Sequence, residues 1–114
     1  MPFMFIKTNR TISAEQETAL KTQLGKAIEL VSHKSEAVLM IEVQDKARLW
    51  LRGGQPPMAF VKVSLFANAA HTGYPELTCA ISKILSQILQ MPSENIYVQF
   101  EDIQAWGVNG CYME

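Results

Sequence analysis

Pro2 is the residue of this chain with the most chemical promise. Removal of the initiator methionine, expected when a small residue follows it, would leave Pro2 with a free secondary amine. Such an amine is mostly protonated in water at neutral pH, so it serves as a general base only when its pKa is lowered. Burial among apolar side chains and a nearby cation both do this. Phe3, Met4 and Phe5 supply the apolar surroundings. Taken alone, a Met-Pro start is a weak signal, since proline makes up about 5% of average sequences.

The other reactive side chains are scattered. Cys79 and Cys111 form no Cys-x-x-Cys or Cys/His cluster and read as two reduced thiols of a cytosolic protein rather than a disulfide. His33 and His71 are isolated. No metal-ligand spacing, Gly-x-Ser-x-Gly or nucleotide-binding pattern occurs, and Gly53-Gly54 before Gln55-Pro56-Pro57 reads as a turn. The expectation is therefore a site without cofactor or metal.

The elements that must position Pro2 follow from patterning. The 114 residues, 48% hydrophobic and 18% charged, suit one globular domain over residues 1–114. A net charge of -1, without a run of Lys or Arg, argues against nucleic acid or an anionic membrane as partner, but leaves room for an acidic small molecule held by a single cation. The apolar stretch Phe3 to Ile6 is too short for a signal peptide, and no window has the length of a membrane span. A cytoplasmic protein is expected; leaderless secretion would leave no trace in the sequence.

The chain reads as two strand-helix-strand halves, about 1–57 and 58–114. Pro2 to Thr8 is a continuous apolar run, read as a strand buried on both faces. Ser13-Ala14-Glu15-Gln16 fits a capping box, after which Leu20, Leu24, Ala27, Ile28 and Val31 recur at helical spacing. Ala37 to Val43 is the next strand, parallel to the first across a right-handed crossover. In the second half, Phe60, Val63 and Leu65 mark a strand that leads through Gly73 to Pro75-Glu76, a helix start. Leu77, Ile81, Ile84, Leu85 and Ile88 form its stripe, and Ile96 to Phe100 is the last strand. Ser35-Glu36-Ala37-Val38 and Ser93-Glu94-Asn95-Ile96 echo each other at matching places, as an internal duplication would.

The fold class is thus α+β: a duplicated β-α-β repeat forming a four-stranded mixed sheet with two helices on one face. Met40, Val43, Val61 and Val63 are too many to hide beneath two helices, so the other face is expected to oligomerise. The short segments Arg48 to Leu51 and Gln104 to Trp106 would then add as edge strands between subunits.

Met1-Pro2-Phe3-Met4-Phe5-Ile6-Lys7-Thr8-Asn9, Lys34 after the first helix, Pro92-Ser93-Glu94-Asn95-Ile96-Tyr97 and Gly107-Val108-Asn109-Gly110 together resemble the macrophage migration inhibitory factor and D-dopachrome tautomerase family over the whole chain. The resemblance implies a symmetric homotrimer with an active site at each subunit interface, and cofactor-independent keto-enol tautomerisation of phenylpyruvate-like 2-oxo acids. It casts Pro2 as the catalytic base, Lys34 as the cation for the substrate carboxylate, and Tyr97 as a phenol from the adjacent subunit. It gives the backbone amide of Phe66 a part in holding substrate. By their own residue types, Lys34 equally suits a solvated cation near a helix C-terminus and Tyr97 an ordinary strand aromatic.

Several positions depart from the family pattern. Met58-Ala59-Phe60-Val61 replaces the Cys-x-x-Cys of some members, Gln99 stands where asparagine is common, and Val108 and Met113 replace pocket aromatics, leaving Trp106 to supply part of that surface. Two rivals remain at this level: a non-enzymatic cytokine-like or ligand-binding protein on the same scaffold, its receptor unspecified by any motif, and a regulatory domain of ferredoxin-like topology.

Overall fold

The computed structural model describes residues 1–114. Strand β1 (Pro2–Thr8) is followed by helix α1 (Ala14–Ala27) and strand β2 (Met40–Gln44). Strand β3 (Ala59–Phe66) is followed by helix α2 (Tyr74–Leu89) and strand β4 (Ile96–Ile103), and two short strands, β5 (Trp106–Val108) and β6 (Cys111–Met113), end the chain. The main sheet has the order β2-β1-β3-β4. Each half is a parallel pair, β1 with β2 and β3 with β4, and β1 and β3 join the halves in antiparallel register.

Local chemistry sets the helix ends. Both bonds of the capping box at α1 form: the Gln16 amide donates to Ser13 Oγ at 3.1 Å and the Ser13 amide donates to Gln16 Oε1 at 2.9 Å. Gln16 Nε2 also donates to the Ile88 carbonyl at 3.1 Å, tying the start of α1 to the end of α2. The expected helix stripes, Leu20, Leu24, Ala27, Ile28 and Val31 from the first half and Leu77, Ile81, Ile84 and Leu85 from the second, are buried in one core, with Ile88 packed at its margin.

That core also contains Val61 and Val63, and Val43 packs against it. The uncovered face was therefore expected on the wrong residues. Side chains alternate along a strand, so odd positions of β3 point to the helices and even ones away. Of the four residues named above, only Met40 lies on the open face, 68% exposed. Its companions there are Phe3 and Phe5 of β1, half-buried rather than enclosed on both sides. Tyr97, Gln99 and Glu101 of β4 stand exposed.

The second strand is shorter than its apolar run. Glu36–Val38 forms a 3₁₀ turn in which the Val38 and Leu39 amides bond the Ser35 and Glu36 carbonyls, and the strand proper starts at Met40. Ser93–Asn95 makes the same turn before β4, so the duplicated Ser-Glu segments share a conformation. Arg48 to Leu51 is not a strand here. Leu51 instead pairs with Gly54 in an isolated bridge around Gly53, whose φ of +80° suits glycine. Trp106 begins a hairpin within its own chain, turning at Asn109 and Gly110, both with positive φ.

Candidate active site

Pro2 is buried at the start of β1, opposite Leu65 of β3. Beside it opens a cavity of about 580 Å³ whose walls include Phe3, Val38, Met40, Ile103 and Trp106. The cavity lies where β1 starts and β3 ends, at one end of the sheet, with the Glu36–Val38 turn and the β5–β6 hairpin contributing to its walls. Ser64 is its buried polar wall; its hydroxyl donates to Glu101 Oε1 at 2.8 Å.

Lys34 reaches the same end of the sheet. Its amide closes a turn on the Val31 carbonyl at 3.2 Å, which directs the side chain toward the end of β3, and Nζ donates to the Phe66 carbonyl at 2.7 Å. The chain terminus lies alongside. The amine of Met1 is held below its ordinary value of 8.0, first by burial and then by the charge and hydrogen bond of Lys34. Lys34 thus sits close to the amine of Met1, and Met1 and Pro2 line the apolar cavity.

Not every expected residue arrives there. Phe66 is not among the residues of the cavity wall and borders a neighbouring pocket; its carbonyl meets Lys34, whereas the amide had been assigned to substrate. Trp106 lines the cavity as expected. Tyr97 does not: it is 55% exposed and lines a second, smaller cleft of about 210 Å³ with Leu49, Trp50, Leu51 and Phe60. Tyr97 pairs with Phe60 and Pro2 with Leu65, so five residues of β3 separate the two levels, roughly 17 Å at ~3.3 Å per residue. Gln99 is also exposed, opposite Lys62 on the open face. A rigid strand cannot close that gap, so any site uniting Pro2 with Tyr97 must draw on two copies of the chain.

Two polar groupings had no sequence signal. Glu101 accepts from Ser64 and pairs with Lys62 at 3.4 Å, and its carboxyl is held below the usual range by the Ser64 bond first. Asp102 receives the Tyr74 hydroxyl at 2.7 Å and His71 Nε2 at 2.5 Å, so His71 is not isolated. Their partners lie some thirty positions apart, beyond the reach of any local motif. No three His, Cys, Asp or Glu side chains converge to hold a metal, both cysteines are free and exposed, and no helix is long and apolar enough to cross a membrane.

The family model described as macrophage migration inhibitory factor matches residues 1–113. The chain belongs to the macrophage migration inhibitory factor family. Solved structures agree on the fold. MIF2 of Leishmania major superposes with a TM-score of 0.90 at 23% identity, over 99% of this chain and 97% of that one. A fused 4-OT symmetric trimer gives 0.82 at 22% identity, over 94% and 91%. Pt0534 inactivated by 2-oxo-3-pentynoate gives 0.80 at 19% identity, over 95% and 93%. No curated protein matches in sequence. These likenesses show that the sheet and its paired strand-helix-strand halves share the fold of those solved structures.

Proposed function

We propose that this member of the macrophage migration inhibitory factor family is a cofactor-independent keto-enol tautomerase of phenylpyruvate-like 2-oxo acids, with the amine of Pro2 as general acid and base. The observation that carries this reading is Lys34, a cation held on the Phe66 carbonyl close to the amine of Met1, which itself lines the apolar cavity. Once Met1 is removed, the Pro2 nitrogen becomes a secondary amine in surroundings that disfavour its protonated form.

The substrate carboxylate pairs with Lys34, and its apolar tail lies against Phe3, Met40 and Trp106. The amine takes a proton from the carbon beside the ketone, the electron pair moves to the carbonyl oxygen, and the same proton is returned to that oxygen as the enol forms. The reaction is an isomerisation and needs no co-reactant. The Phe66 amide, a positioned donor, stabilises the negative charge as it develops on the carbonyl oxygen. Tyr97 and Gln99 join the site from an adjacent copy in a homotrimer, a reading supported by the five-residue separation of Tyr97 from Pro2 along β3 and by the trimeric 4-OT relative.

With Met1 in place, the Pro2 nitrogen is an amide without basicity. In that form the cavity suits a non-enzymatic, ligand-binding or cytokine-like role. A phenylpyruvate tautomerase assay on protein of confirmed N-terminal mass separates the two: turnover by the Pro2 form alone supports the enzyme, and no turnover by either form overturns it.

A further inference from the structure

The loop that joins β3 to α2 is built to hold still. Ala67 directly follows Phe66 with a φ of +61°, and His71 has a φ of +62°; both carry a Cβ, so each needs its surroundings to hold it in the left-handed region. The loop is laced internally: the His71 amide donates to the Asn68 carbonyl at 3.0 Å and Asn68 Nδ2 to the Thr72 carbonyl at 3.2 Å. Its external anchor is Asp102 of β4. One carboxylate oxygen receives His71 Nε2 and the other the Tyr74 hydroxyl, while the Tyr74 ring stacks between His71 at 5.0 Å and Phe100 at 4.2 Å.

Both ends of this loop bear on Lys34. At one end the Phe66 carbonyl accepts the ammonium. At the other, Gly73, with φ of +87°, lies so close to the segment before Lys34 that a Cβ there would collide with the Leu30 carbonyl oxygen and come within 3.1 Å of Val31 Cα. Val31 in turn supplies the carbonyl that closes the Lys34 turn.

We infer that Asp102, His71 and Tyr74 are positioning residues for the carboxylate-binding cation: they clasp the loop of residues 67–73 to β4 and so hold Lys34 between the Phe66 carbonyl and the Leu30–Val31 segment. The inference rests on reading Lys34 as the ligand of a substrate carboxylate. None of the three lines the cavity beside Pro2, and Asp102 instead borders a neighbouring pocket with Phe66 and Ala67, so they act through the loop rather than on the reacting atoms.

The test compares Asp102→Asn, His71→Ala and Tyr74→Phe in the Pro2 form of the protein, using phenylpyruvate and its methyl ester. Loss of a clasp bond should raise KM for the acid about threefold to tenfold while leaving kcat and the ester's KM nearly unchanged. In a Lys34→Ala background the same substitutions should add nothing for the acid. Equal losses for acid and ester, or no change for either, overturn the clasp. Lys34 acetylation by acetic anhydride, followed by mass spectrometry, reads the same geometry without turnover. A several-fold faster reaction in the clasp variants supports the clasp even if the wild-type protein has no tautomerase activity, and an unchanged rate overturns it. Tyr74→Phe removes one hydroxyl and keeps the stacked ring, so it serves if Asp102→Asn fails to fold.

Discussion

Lys34 Nζ and the Phe66 carbonyl oxygen are 2.7 Å apart, though 32 positions separate them in the chain. The bond aims the ammonium at the end of β3, beside the first residues of β1, without neutralising it. A carbonyl satisfies one of the three ammonium donors and leaves the positive charge available to an anion.

Lys34→Ala should therefore weaken substrate capture far more than folding. The loss of a charged hydrogen bond to a carboxylate predicts a fall in kcat/KM on the order of tenfold to a hundredfold. Half-exposed Lys34 carries little stability, so the melting temperature should barely move. Steady-state kinetics with phenylpyruvate beside a thermal melt checks both, and an unchanged kcat/KM would remove Lys34 from the site.

For the Pro2 form, kcat/KM should rise with pH through an apparent pKa below the roughly 7.7 to 8.0 of an ordinary α-amino group. The expectation rests on the burial of Pro2 and on the neighbouring Met1 amine, which burial first and Lys34 second hold below its ordinary value. Lys34→Ala should move that midpoint upward by removing the second cause. An added N-terminal residue should cost at least about 10²-fold in activity. Full activity in the extended protein would show that the base lies elsewhere.

The Asp102 anchor predicts a pH window for stability. Its carboxyl is held below the ordinary 3.8, by Tyr74 first and His71 second. The folded protein thus binds its proton less readily than the unfolded chain. The stabilisation is present above that ordinary value and disappears as pH falls through the lowered one. At the alkaline end Tyr74 is pushed up from 10.0 to about 12, by burial first, so the folded state loses stability as pH climbs between those values. Denaturant melts across pH should show both declines, and Asp102→Asn should flatten the acid one. A wild-type acid limb matched by the variant would count against the anchor.

Sites shared between copies predict complementation. The protein should scatter light as a trimer, and both an N-terminally extended chain and Tyr97→Ala should be poorly active alone. Mixed under conditions that exchange subunits, the two should recover part of the wild-type rate, because some interfaces then combine an intact Pro2 with an intact Tyr97. A monomer at micromolar concentration, or mixtures no more active than their components, would rule out the composite site.

The residues that local physics governs were readable from the sequence. The capping box closes on Ser13 and Gln16, and Gly73 and Pro75 open α2, since each depends on contacts within a few residues; β1 spans Pro2–Thr8 as its continuous apolar run indicated, although its partners lie far along the chain. Pro2 and Lys34 could be singled out in the sequence too, one from its residue type and the other from its place in a familiar pattern. The strand face was not. Whether Val61 and Val63 or Phe60 and Lys62 meet the helices depends on which side of the sheet the crossovers close, and both sides of β3 carry apolar residues. The partner of Trp106 emerged only with the β5–β6 register, which closes across the turn at Asn109 and Gly110. The bonds from Lys34 to Phe66 and from Asp102 to His71 and Tyr74 were decided by tertiary structure alone. They span about thirty positions each, and only the parallel β3–β4 pairing and the packing of Gly73 on Leu30 bring their partners within a hydrogen bond's length.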